Sequence, residues 1–226
     1  MTLEVCCGSL ASAIQAVQGG AGRIELCSAL ALDGLTPSIG TLCLLRDHFP
    51  DLRIHVLIRP REGNFVYSED EVRQMEADIR AAATFGATAI VSGALTTEHA
   101  IDIKTTRRLM QAAPNLPFTF HRAFDRIADQ AEALEQLVSL GCDRVLTSGG
   151  APTAEAGIPR LRNLVQQAAG RILILPGGGV NSSNARRILD QTGATEIHGS
   201  CSRGTPEGLS ITCADEVRAV MNIIRE

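Results

Sequence analysis

Two periodicities take turns along this chain. Short β-type runs fall at residues 3–7, 23–27, 53–58, 89–93, 117–122, 144–148, 171–175 and 196–200. Between them, apolar positions recur every three to four residues over 10–18, 39–48, 69–85, 103–112, 130–140, 159–169, 183–191 and 213–225. The first period is that of a strand and the second that of a helix. The punctuation agrees. Gly19, Gly86, Gly141, Gly170 and Gly193 each follow a helical stretch, where a left-handed residue commonly ends a helix. Pro50 and Pro114 stop two others. Eight strand–helix units of similar size predict parallel βαβ units with right-handed crossovers. An open sheet rarely takes eight even units, whereas a closed (β/α)8 TIM barrel requires them. No linker or low-complexity stretch divides the chain, so residues 1–226 are expected to form one domain.

Composition narrows the function. Aromatic residues are only 3% and Trp is absent, so the core must come from Leu, Ile, Val and Ala. The 21 Lys+Arg against 25 Asp+Glu give a net charge of −4, which argues against a nucleic-acid or anionic-membrane partner held by bulk charge. No apolar run approaches the roughly 18 residues of a membrane span, and the start, with Glu4, is unlike a secretion signal. The expectation is a cytoplasmic protein. There its seven irregularly spaced cysteines would be thiols.

In a barrel of this kind the site lies at the C-terminal ends of the strands. Strand parity places Glu4 with Cys6, and Glu25 with Cys27, on inward faces, while Val5, Ile24 and Leu26 face the helices. Inward carboxylates are costly unless paired; Arg59, Arg122, His121 and His198 are the candidate partners. Glu25 and His121 are the first candidates for an acid and a base, with Glu4 and His198 beside them. Arg59 and Arg61, flanking Pro60, suggest an anion site, which Arg122 could share. Gly177, Gly178 and Gly179 run into a helix whose cap would be Asn181 or Ser182. Such a loop can cradle a phosphate. Cys6 and Cys27 close neighbouring strands at the same stage of the repeat, so their sulfurs could converge. Two thiolates suit Cu(I), and inert packing is the alternative for small apolar residues. Cys7, of opposite parity, is expected to face a helix.

Several segments carry a resemblance. Leu3-Glu4-Val5-Cys6, Gly22-Arg23-Ile24-Glu25-Leu26-Cys27-Ser28, Ile58-Arg59-Pro60-Arg61, Thr119-Phe120-His121-Arg122-Ala123-Phe124-Asp125 and Pro176-Gly177-Gly178-Gly179-Val180, in this order, resemble the CutC family of copper homeostasis proteins. The likeness spans about residues 3 to 203. It implies a cytoplasmic (β/α)8 barrel, a homodimer, and a link to copper, with Cys6 and Cys27 matching the cysteines proposed to bind Cu(I). The sequence departs from the family pattern at Glu62, where a second Gly is usual, at Cys7, and in a short segment over 203–212 that would cover the barrel mouth. Beside copper handling, the strand ends leave open an enzyme acting on a small anionic or phosphorylated metabolite.

Overall fold

The computed structural model of the chain describes residues 1–204 and 210–225. Eight strands, β1 (Thr2–Cys7), β2 (Arg23–Leu26), β3 (Arg53–Leu57), β4 (Ala89–Ser92), β5 (Phe118–Phe120), β6 (Arg144–Thr147), β7 (Leu173–Pro176) and β8 (Glu196–Gly199), alternate with eight helices. The helices are α1 (Leu10–Gln18), α2 (Ile39–His48), α3 (Glu69–Thr84), α4 (Ile103–Gln111), α5 (Gln130–Leu140), α6 (Ile158–Ala168), α7 (Ala185–Thr192) and α8 (Ala214–Arg225). The strands pair in parallel in the order β7-β6-β5-β4-β3-β2-β1-β8. A parallel bridge between Gly177 and His198 joins the two ends of that order and closes the ring. The fold is the expected (β/α)8 barrel.

The apolar core lies outside the ring. Val5, Ile24, Ile54, Ile90, Phe120, Val145 and Ile197 point to the helices and pack with Leu42, Met75, Leu109, Leu137 and Leu161 in one continuous cluster. The lumen differs. It holds a small apolar patch of Cys6, Cys27, Leu57 and Val91 near the mouth, with Leu30 against it. Below that patch sit Glu4, Arg23, His55 and Glu196, all buried.

Local chemistry sets the element ends. Ser68 caps α3: its hydroxyl accepts from the Glu71 amide and the Glu71 carboxylate accepts from the Ser68 amide. Replacing Ser68 by Ala is expected to lower stability by about 1 kcal/mol, read by urea denaturation. An unchanged midpoint would mean that Glu71 alone, through Arg61, holds this helix start. Gly141 and Gly193 end α5 and α7 in the left-handed region as expected, but Gly19 is helical (φ −75°) and Gly20 takes the left-handed turn (φ +95°). β5 is shorter than the expected 117–122 because the chain turns at once into a 3-10 segment, Arg122–Arg126. A second 3-10 turn, Leu30–Leu32, follows β2. A two-stranded hairpin, β9 (Ser202–Gly204) with β10 (Ser210–Thr212), follows β8. The expected mouth-covering segment falls partly on 205–209, outside the described residues.

Candidate functional site

The lumen holds a connected polar column with three tiers. At the base, the Glu196 carboxylate takes both terminal nitrogens of Arg23 at 2.9 and 2.8 Å and Nε of Arg144 at 2.8 Å. Arg23 is 1% exposed, and its Nε lies 2.9 Å from Glu4. In the middle tier Glu4 sits between two imidazoles, with His55 Nδ1 at 2.7 Å and His198 Nδ1 at 3.0 Å. In the top tier the Cys6 thiol donates to Glu25 at 3.2 Å and lies 3.7 Å from the Cys27 sulfur. His198 links the upper tiers, its Nε2 standing 3.8 Å from Glu25. Register explains the stacking, since Glu4 stands opposite His198, and Glu25 stands opposite both Cys6 and His55.

The two inward carboxylates are driven in opposite directions. Burial pushes Glu4 up, but the hydrogen bonds and charges of His198 and His55 outweigh it and hold Glu4 well below the ordinary carboxylate value. Glu25 has no such pair. Burial raises its carboxyl, and the more distant His198 only partly opposes this. His198 is raised in turn: burial lowers it, but Glu25 and Glu4 outweigh that. The Cys6 thiol is pushed well up by its hydrogen bond to Cys27 and by burial. Cys6, Glu25 and Cys27 thus present three donor atoms within 4.8 Å of one another, and Glu4, Glu25 and His198 form a second such group. Glu25 belongs to both. Cys7 faces away from the lumen and packs in the outer core.

A cavity of about 270 Å³ opens above this column. Its floor is Cys6, Glu25 and His198, its apolar walls Leu30, Leu57, Phe65 and Leu146, and its cationic side Arg59, Arg122 and Arg126. His121 also lines it. The ring accepts the Ala123 amide at Nδ1, which leaves the proton on Nε2. Burial and the Arg59 charge lower His121 to about 3, so it is a neutral imidazole at physiological pH.

The expected partners of the two carboxylates are redistributed. His198 pairs with Glu4, whereas Arg59, Arg122 and His121 do not; Arg23 and His55 stand in their place. Arg61 is turned away from the cavity and holds its own loop, bonding Glu71 and the carbonyls of Glu62, Asn64 and Val66. Arg122 pairs with Asp125 at 2.8 Å. Asp125 in turn fills the loop after β6, accepting from the amides of Ser148 and Gly150 and the hydroxyls of Thr147 and Ser148. The glycine loop after β7 meets a similar neighbour. The Ser182 amide beyond it donates to Glu216 at 2.7 Å, and Asn184 and Asn181 bond the rest of that turn. Amides that could hold a phosphate around Ser148 and Ser182 are therefore met by the chain's own carboxylates. Asp125 and Glu216 act through tertiary approach that strand parity does not register. His55, Arg23 and Glu196 were visible to it, since each shares the inward parity of its strand.

A (β/α)8 barrel with a buried thiol–carboxyl–imidazole column under its mouth is the class that fold and site define. The CutC family profile matches residues 1–203. A CutC family protein of Bacteroides fragilis is 48% identical over 206 residues, covering 91% of this chain and 82% of that protein. A copper homeostasis protein cutC homolog of Mus musculus is 47% identical over 207 residues, covering 92% and 76%. The crystal structure of a Streptococcus agalactiae CutC superposes with a TM-score of 0.85 at 36% identity, covering 88% of this chain and 98% of that one. The chain belongs to the CutC family of copper homeostasis proteins.

Proposed function

We propose that this chain handles Cu(I) in the cytoplasm, binding it between Cys6 and Cys27 at the floor of the barrel mouth, as a homodimer. The observation that carries this reading is the approach of the two sulfurs to 3.7 Å beneath an open cavity. Thiolates are soft donors that favour Cu(I) over harder ions. The donor set fits that cargo, with Glu25 as a neighbouring oxygen rather than a further soft ligand. Binding requires both thiols to lose their protons. Glu25, which already accepts the Cys6 hydrogen bond, is placed to receive one of them. Because the Cys6 thiol is raised, protons compete with the metal, and affinity should rise with pH.

The test is an anaerobic Cu(I) competition titration of the native protein beside Cys6→Ser/Cys27→Ser. Loss of the two sulfurs should weaken binding by at least about 100-fold, or about 2.7 kcal/mol. Equal affinity in both proteins would discard the thiol pair as the copper site. Affinity that does not increase between pH 6 and 8 would discard the proton competition.

A further inference from the structure

We infer that the cavity over the thiol pair is a binding site for a small organic carboxylate, held by Arg59 and the Nε2–H of His121. Arg59 is the reason. It is 3% exposed, and among the described residues no carboxylate lies within ion-pair distance of it. A buried cation without a counter-ion is costly. Its neighbours are backbone carbonyls and a ring: Nη1 donates to Leu32 and Gly34 at 2.9 and 3.1 Å, Nη2 donates to Gly63 at 3.1 Å, and the guanidinium lies 5.0 Å from the Phe65 ring centre.

A guanidinium has five N–H donors. Three go to carbonyls, and Nε–H and one Nη2–H remain for the cavity and for the Tyr67 hydroxyl, which is buried beside Arg59. Nε is buried with no partner. Donors on adjacent nitrogens suit a single carboxylate, which takes such a pair in a fork. His121 supplies a third. Its Nε2 is likewise buried without a partner, and its ring stands 4.9 Å from that of Phe65. Phe65 therefore contacts both donors and would shift to admit the ligand.

The remaining lining defines the rest of the ligand. Leu30, Leu57 and Leu146 accept a short apolar body, and the floor offers a thiol, a carboxyl and an imidazole to a polar far end. The lining carries three guanidinium groups, Arg59, Arg122 and Arg126, against the carboxyls of Asp33, Asp125 and Glu25. Asp125 is committed to Arg122 and its loop, and among the described residues neither Asp33 at the rim nor Arg126 makes an ion pair. A bulky or triply charged ligand does not suit about 270 Å³ with one buried fork. The chemistry points to a small mono- or dicarboxylate. The site stands whether or not copper binds below it.

Calorimetric titration with acetate, pyruvate and succinate, and with inorganic phosphate as a separate arm, tests this at constant ionic strength. One of the carboxylates should bind saturably at one site per chain. Arg59→Lys keeps the charge and loses the fork, and should weaken binding roughly tenfold or more. His121→Phe removes the third donor and should weaken it as well. Arg171→Lys, at the opposite end of the barrel in a pair with Glu135, should bind as the native protein does. Cys27→Ser, whose side chain does not line the cavity, should lose tight Cu(I) binding and retain carboxylate binding, which separates this site from the copper reading. No saturable carboxylate binding up to roughly 10 mM, a preference for phosphate, or unchanged binding in a folded Arg59→Lys would each overturn the proposal.

Discussion

Replacing Glu196 by Gln is expected to cost about 3–5 kcal/mol, because it removes one partner of a buried ion network. Glu196 binds two guanidinium groups through three hydrogen bonds. Without its charge, Arg23 keeps only Glu4, and Arg144, whose side chain is 15% exposed, loses its carboxylate. For a domain of this size the loss should lower the melting temperature by roughly 10 °C. The difference should also depend on pH. Burial tends to raise Glu196, but Arg23 and Arg144 outweigh it and hold the carboxylate below its ordinary value of 4.5. Its contribution is therefore fully present above that value and fades as the pH falls through the lower, folded one. The gap between native protein and variant should be wide at neutral pH and narrow in acid. A loss under about 1 kcal/mol at neutral pH, or a gap that does not shrink in acid, would show that water rather than Glu196 stabilises the base of the lumen.

Gly157→Ala should be comparably disruptive, by a different route. The residue immediately precedes α6, with φ −86°, so an alanine is conformationally acceptable. Space is the obstacle. A Cβ there would stand 1.8 Å from the Ser148 carbonyl oxygen and 2.9 Å from its carbon. That peptide cannot yield easily, since Ser148 is tied to Asp125 through both amide and hydroxyl at 3.1 and 3.0 Å. Either α6 or the loop after β6 must move, and overpacking of this kind costs about 3 kcal/mol or more. If the loop moves, Arg122 loses the Asp125–Ser148 clasp as well. Chemical denaturation of the variant measures the loss. A change below about 1 kcal/mol would mean that the loop is compliant and that Asp125 does not fix it.

The barrel was legible because its elements are local. Each strand and helix announces itself by period, and the glycine and proline stops separate them. Parity on β1 and β2 also placed Glu4, Cys6, Glu25 and Cys27 in the lumen, where the structure has them. The same reasoning carried down the strands reaches Arg23, His55 and Glu196, which complete the column. Asp125 and Glu216 were out of reach for another reason. Asp125 follows a strand that breaks into a 3-10 turn, which destroys the alternation parity relies on, and Glu216 comes from the first turn of α8 to meet the loop after β7. The donors left on Arg59 depend on three carbonyls, two from the loop after β2 and one from its own loop, a count that no spacing along the chain encodes.

The place of β1 in the sheet has a consequence for how the protein is made. β1 lies between β2 and β8, and Glu4 meets His198 across 194 positions of sequence. During synthesis the first strand can dock on the second almost at once, but its other edge waits for nearly the whole chain. The thiol pair, which needs only β1 and β2, can form on a half-built ribbon. The histidine that reaches toward Glu25 arrives last. A nascent chain can therefore bring its two sulfurs together well before the ring of strands is complete.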